Sequence, residues 1–400
     1  MLVRLPLNLR LLEAPGTISF VALSTIDCFG RAMLMAIIPL QAYATLGNAR
    51  DLSLLYFCIA WGAFGGRFLI PLMIERFRRR RVYSAGLLLL IASPLLLGLD
   101  TLPALAAGMF ARAFGAACVN IALNLYIMDY VKKRDLARIE PLKYAVSGIA
   151  WAGGPLVGIL LFEHAGPWIA YGVAAGFTSL ALLYFWYLRV SDNPVVALAT
   201  PASPKPFKVA SYLPRFFRQL RLVLAWTLGF GREAWWGLLI VYGPILVVQA
   251  GGSDSLAGIL VAAANGMMFF ALLFGWLGRR YGIRRVLIGG FIAAGALTLA
   301  VALPFVVDNV WLVFSLLLAG SIAVAAVDSV GNVPFMRAVR ARERPEMTMV
   351  YSTYSDASSV VPSAAYSALL TIFPLTSIFV ATGAAMFAFA RVSRHVPRGM

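Results

Sequence analysis

Charged side chains stand where the sequence is otherwise apolar: Asp27, Arg31, Arg67, Arg112, Arg232, Glu233, Asp328 and Asp356 all fall inside long hydrophobic runs. At the centre of a bilayer-spanning helix such a charge costs at least about 2.5–3.5 kcal/mol, so each requires a partner or a task. The arginines point to anion recognition, since a planar guanidinium with five donors matches a carboxylate or phosphate bidentately. The carboxyls point to proton carriage, because burial favours the neutral acid and a nearby arginine favours the charged one. Two of the arginines share a setting. Phe29-Gly30-Arg31 recurs as Phe230-Gly231-Arg232 at a distance of 201 residues, about half the chain.

Their surroundings differ. Asp27 and Arg31 are i and i+4 on a helix and can form an ion pair that lowers the cost of both. Arg232 has Leu228 at the equivalent position, and its neighbour Glu233 projects about 100° away around the helix. Arg232 is therefore expected to lack a partner on its own helix and to find one on another helix or in a solute. Asp328 and Asp356 have no base within one turn and, with Asp27 and Glu233, are the proton-carrier candidates. The plainer reading of all these charges is a set of interhelical salt bridges that govern gating. Asn120 and Asn124, like Asp328 and Asn332, are four apart on one face, suited either to bonding a solute or to joining helices. Tyr351, Tyr354, Ser355, Ser358 and Ser359 form a polar stripe. Trp226, Phe230, Trp235 and Trp236 could stack on an aromatic or amphipathic solute, or could face lipid.

The elements that must position these residues follow from composition. The chain is 61% hydrophobic and 13% charged, against about 25% charged in soluble domains, so an all-α polytopic membrane protein is expected. Runs long enough to span number twelve, near 17–43, 51–73, 82–99, 102–131, 141–162, 167–189, 219–249, 254–277, 284–304, 308–338, 346–372 and 374–392. The net charge of +17 comes from alternate polar breaks, the opposite breaks holding Arg50 as their only Lys or Arg, with Asp51, Asp100, Glu163, Asp254 and Asp308. That asymmetry predicts cytoplasmic termini and argues for topology, with anionic lipid contact, over a nucleic-acid partner. Met1 to Gly16 has no cleavable-signal pattern. Cys28, Cys58 and Cys118 lie in apolar runs and read as small buried hydrophobes.

Ser191 to Pro214 is rich in proline and predicts a linker over 190–217 between six-helix halves, 1–189 and 218–400. Matches between the halves support a repeat. Arg76 and Arg280 are 204 apart, Asn120 and Asn124 lie 208 before Asp328 and Asn332, and Tyr144 and Pro155 lie 207 before Tyr351 and Pro362.

With these features the chain resembles the major facilitator superfamily of secondary transporters. The loop motif of that family after helix 2, Gly-x-x-x-Asp-Arg-x-Gly-Arg-Arg, is matched in the second half by Gly275, Arg280, Gly282 and Arg284, with Arg279 at the acidic position. In the first half Pro71, Glu75, Arg76 and Arg78 stand at the corresponding places, with proline and arginine replacing the glycines. Arg112 with Gly115 approximates a further motif, and Gly154-Pro155 with Gly158 is similar to that of the family's proton antiporters. The resemblance implies two halves around a cavity lined by helices 1, 4, 7 and 10, with alternating access by rocking. It also implies that Arg31 and Arg232 look like the arginine pair of the organophosphate antiporters. Gly154-Pro155 and Pro362 are read as points where helices can bend.

The function expected is proton-coupled movement of a small anionic or zwitterionic solute. Arg31, Arg232, Arg112, Asn120, Asn124, Asn332, Trp236 and Tyr354 are the binding candidates. Asp328, Asp356, Asp27 and Glu233 are the proton sites, and Glu75, Arg76, Gly275, Arg280, Gly282, Gly154 and Pro155 form the gate. Rival readings are an efflux pump for amphipathic compounds and a non-transporting receptor or assembly subunit. His164 and His395 are the only histidines, and no phosphate-binding Gly-rich loop is present, so neither an enzyme, a metal site nor a cofactor is expected. The expected setting is a bacterial inner (cell) membrane, as a multi-pass monomer whose partners are solute, protons and lipid.

Overall fold

Long apolar runs can satisfy their backbone polar groups away from water only as helices or closed barrels, and this chain uses helices. The computed structural model describes residues 15–130, 133–188, 213–339 and 344–397, and no strand occurs among them. The helices are α1 (Pro15–Leu46), α2 (Ala49–Arg67), α3 (Leu69–Phe77), α4 (Arg79–Leu97), α5 (Leu102–Tyr130), α6 (Lys133–His164) and α7 (Pro167–Tyr187). After them come α8 (Leu220–Gln249), α9 (Asp254–Gly266), α10 (Ala271–Tyr281), α11 (Ile283–Val301), α12 (Pro304–Val307), α13 (Val310–Gly331), α14 (Val333–Ala338), α15 (Arg344–Leu369) and α16 (Thr376–Ser393). Most of the expected linker falls in residues 189–212, outside the described residues.

Among the described residues nine spans are long and apolar enough to cross a membrane, or ten with the bent pair α2 and α3. Two further helices have the length, α8 with 30 residues and α15 with 26, and are not among these. They carry Arg232 and Glu233, and the Tyr and Ser stripe, respectively.

Apolar runs conceal helix breaks. Between α2 and α3 the axis bends by 45° at Phe68. At the equivalent place in the second half, a 3-10 turn of Met267–Phe270 separates α9 from α10. A third break lies at Asn332, after which Pro334 lacks the N–H that would continue α13.

By packing, the chain forms two compact units. One contains Met1–Leu34 and Gly65–Ser203, the other Met35–Phe64 and Pro204–Met400. In the first, α4 and α5 meet through Gly86 and Gly115, where an added Cβ would lie 3.0 Å or less from the opposing helix. A core of Phe20, Leu23, Tyr83, Leu87, Val119, Tyr126 and Phe185 surrounds that contact. In the second, Gly290 lets α11 approach Val327 and the Ala323 carbonyl of α13. This unit also holds the C-terminal part of α1 and the first part of α2, joined to α8 by Tyr43 to Gln249 at 2.7 Å and Ser53 to Tyr242 at 2.6 Å.

Candidate functional site

The densest polar constellation lies in the second unit, around Arg232 near the middle of α8. Its Nε is 2.9 Å from Asp328 Oδ1 on α13, and its Nη2 is 3.5 Å from Glu233 Oε1. Nη2 also donates to Tyr354 Oη at 2.8 Å, and Nη1 to Asn332 Oδ1 at 3.4 Å. Tyr351 donates to that same Asn332 oxygen at 3.0 Å, and Trp236 Nε1 donates to Asp328 Oδ2 at 2.9 Å. The guanidinium fits because residue 331 is glycine, where a Cβ would stand 2.9 Å from Nη1. The helix break at Asn332 turns that side chain inward.

This geometry gives Arg232 the partner on another helix that was expected, Asp328, and corrects the expectation that its own helix offers none. Glu233 reaches it because two long side chains can converge although their Cβ atoms diverge around the helix. Asp328, which has no base within a turn, takes its base from another helix. Of the two readings of Trp235 and Trp236, the lipid-facing one does not hold, because both are buried, and Trp235 donates to Thr298 at 2.8 Å.

The cluster contains one guanidinium and two carboxyls. In a low-dielectric setting an excess carboxylate is costly, so a proton or a cationic group would complete it. Asp328 is 14% exposed at its side chain and Glu233 is 36% exposed. Glu233 and Trp236 border a cavity of about 250 Å³ within this unit, lined also by Tyr56, Tyr242, Tyr366 and the serines 355, 358, 359 and 363 of α15. Sequence reasoning missed Tyr56, Tyr242 and Tyr366, which lie on three different helices with no shared periodicity. Asp356, half-buried on α15, is outside this lining.

In the first unit Arg31 Nη2 pairs with Asp27 Oδ2 at 2.6 Å, the expected i,i+4 geometry. Arg31 also contacts Cys28 Sγ at 3.5 Å, and its backbone carbonyl accepts from Arg112 Nη2 at 2.9 Å. Asp27 is almost fully buried, and its Oδ1 has no hydrogen-bond partner among the described residues. Asn120 and Asn124 are exposed together on one face of α5. Arg67 is exposed at the α2 end, not held within a core, and Cys58 is exposed where a buried thiol was expected, while Cys28 and Cys118 are buried.

The gate residues divide between mechanics and display. Gly154 and Gly158 bring α6 against α1: added Cβ atoms there would meet Ala32 Cβ at 2.5 Å and the Met33 carbonyl at 2.0 Å. Their neighbour Pro155 sits within a continuous helix. Glu75 and Arg76 are exposed, Gly275 has open space beside it, and Arg280 lies over the rings of Trp276 and Tyr281. Gly282 has φ +91°, and at the matching turn Arg78 has φ +69°.

Comparison with known proteins supports one reading of this architecture. A sequence model described as Major Facilitator Superfamily matches residues 20–363. Among solved structures, nucleoside transporter NupG is 13% identical with TM-score 0.73, covering 95% of this chain and 98% of its own. A peptide transporter POT in complex with sulfate is 14% identical with TM-score 0.73, covering 95% and 93%. A POT family transporter in complex with 5-aminolevulinic acid is 12% identical with TM-score 0.72, covering 94% and 95%. No curated protein matches the chain by sequence.

Proposed function

The chain belongs to the major facilitator superfamily, and from that premise we propose that it is a proton-coupled secondary transporter of a small zwitterionic organic solute. It is a multi-span membrane protein of this transporter type. Adding α8 and α15 to the spans gives the twelve proposed here, arranged as halves 1–189 and 218–400 with cytoplasmic termini in a bacterial inner membrane. The reading contains no catalytic step.

The observation that carries it is the two-carboxyl, one-arginine cluster. When Asp328 takes up a proton at Oδ1, its claim on Arg232 is lost and Trp236 still holds its other oxygen. A solute carboxylate can then accept from the freed Nε–H of Arg232 as a charge-assisted hydrogen bond. Glu233, at the cavity wall, is left to receive the solute's ammonium group, while the hydroxyls of α15 suit its polar body. Of the two solute classes expected from sequence, this geometry favours the zwitterion, because Arg232 already has a carboxylate and the excess charge is acidic. Release of the proton restores the Asp328 to Arg232 pair and expels the carboxylate, which couples the two fluxes. A chemical parallel among the structural neighbours is the POT family transporter solved with 5-aminolevulinic acid, itself an amino acid.

Proteoliposomes loaded with a pH-sensitive dye test the proposal with a panel of small amino acids and their des-amino counterparts. Zwitterions should drive proton movement and des-amino acids should not, and Glu233→Gln should erase that distinction. Equal transport of both series by the native protein would overturn the zwitterion assignment.

A further inference from the structure

Away from the Arg232 cluster, the second unit carries an apolar groove that ends in bare positive charge. Its walls are small residues facing each other: Gly289, Gly290 and Ala293 on α11, and Ala319, Ala323 and Ala326 on α13. Together with Phe274 and Leu277 of α10 they leave about 570 Å³ unfilled. Tyr281 and Arg285 line this groove and also line a second, polar space of about 580 Å³ with Arg284, so the two adjoin. Neither Arg284 nor Arg285 pairs with a carboxylate among the described residues. The acidic place in the adjoining loop motif is occupied by Arg279, which adds charge where a counter-ion would otherwise sit.

At the equivalent place in the first unit the arginine is engaged. There Arg80 lies 3.9 Å over the ring of Trp186, which in turn donates to Ser84.

We propose that this groove binds an anionic glycerophospholipid of the leaflet on the arginine side, one acyl chain in the apolar part and the phosphate at Arg284 and Arg285. Two features fix that occupant. From Arg285 to Leu297 the helix advances about 18 Å, close to the depth of one leaflet, half of about 30 Å. Two unpaired arginines at the mouth complement a phosphodiester with a second negative or neutral polar group, and such basic pockets between spanning helices favour anionic headgroups.

Native mass spectrometry of the detergent-purified protein, titrated with phosphatidylglycerol or phosphatidylcholine of identical chains, tests this. The native protein should retain phosphatidylglycerol roughly thirtyfold more strongly, the effect of two membrane-proximal arginines. Arg284→Gln with Arg285→Gln should hold both lipids alike. Gly289→Leu with Ala293→Leu should lose the tight one-to-one lipid, and an added Cβ at Gly289 meets nothing within 4 Å, so that change fills space without a clash. Equal retention of the two lipids by the native protein, or a preference surviving in either double variant, would overturn the proposal. If the Leu pair fails to elute as a folded monodisperse species, the Gln pair decides alone.

Discussion

Phe29-Gly30-Arg31 and Phe230-Gly231-Arg232 do the same packing work and different electrostatic work. In both, the phenylalanine meets a ring of a later helix: Phe29 is 4.7 Å from Phe177 on α7, and Phe230 is 6.2 Å from Phe389 on α16. In both, the glycine allows that close approach, since a Cβ at Gly30 would stand 2.8 Å from the Ala174 carbonyl and one at Gly231 would stand 2.6 Å from the Phe389 ring. The arginines then diverge. Arg31 takes its carboxylate from four residues back on its own helix, so that pair is complete within α1. Arg232 takes Asp328 from α13 and adds Glu233, so its charge balance depends on two helices holding their relative position. A self-contained pair tolerates rearrangement, whereas a pair shared between helices senses it. The second is the better coupling element for that reason.

The largest effects are expected at the shared pair. Arg232→Ala strands a buried carboxylate and should cost about 3–5 kcal/mol of stability, along with all solute-driven proton flux. Arg232→Ala combined with Asp328→Ala should recover most of the thermal stability in detergent while transport stays absent. Return of transport in that double variant would reduce the cluster to a structural salt bridge and dissolve the contrast. Asp328→Asn alone should permit solute exchange across the membrane and abolish accumulation driven by a pH gradient.

At the self-contained pair the expected loss is smaller. Asp27→Asn with Arg31→Gln removes both charges together and leaves a hydrogen-bonding pair in their place, so uptake should fall by no more than about tenfold, a barrier change of about 1.4 kcal/mol. Proton coupling, read as the ratio of dye response to solute flux, should persist. If coupling disappears, Asp27 and its unpartnered Oδ1 belong to the proton path and the two halves share that duty.

How much of this was legible in the sequence depends on the range of each contact. The helical class, the i,i+4 pair of Asp27 and Arg31, and the matching offsets between halves are patterns of spacing along the chain, and spacing survives in a bare sequence. The partners of Arg232 on α13 and α15 are about 100 residues away, and no periodicity reports which face of one helix meets another. The same holds for Trp236 with Asp328 and for the tyrosines of the cavity. Breaks at Phe68 and Met267–Phe270 interrupt uniformly apolar runs, in which hydropathy continues although the backbone turns. In the sequence Gly154 reads with Pro155 as a bend point, and Gly158 only as part of a motif. Their dominant feature in the structure is contact distance to α1, which depends on where another helix lies.

The packing half of the comparison can be sharpened with alanine at each glycine of the repeated tripeptide. At Gly30 the new methyl would oppose a backbone carbonyl that cannot swing away, so Gly30→Ala should cost about 1–3 kcal/mol, the range for overpacking. At Gly231 the obstacle is a side-chain ring, and Gly231→Ala should cost less than that as Phe389 turns. Thermal unfolding should therefore rank Gly30→Ala below Gly231→Ala, and the reverse order would mean that the two glycines are not equivalent in packing.

The smallest effect concerns the turn that follows each bent span. Gly282 holds φ +91° and ψ +139°, and Arg78 holds φ +69° and ψ +149°, so the two halves keep one turn geometry with and without the residue suited to it. A non-glycine residue there carries about 1–3 kcal/mol of backbone strain. Arg78→Gly removes that strain and adds unfolded-state freedom worth about 0.5–1 kcal/mol in the opposite sense, which leaves a net gain of about 1 kcal/mol. Gly282→Ala introduces the strain and should lose a similar amount. A rise in melting temperature of about 1–2 °C for the first and a fall for the second is the expected pattern. If Arg78→Gly is instead destabilising, the arginine side chain contributes more at that turn than its backbone costs, and the first-half motif is a specialised form of the second-half one.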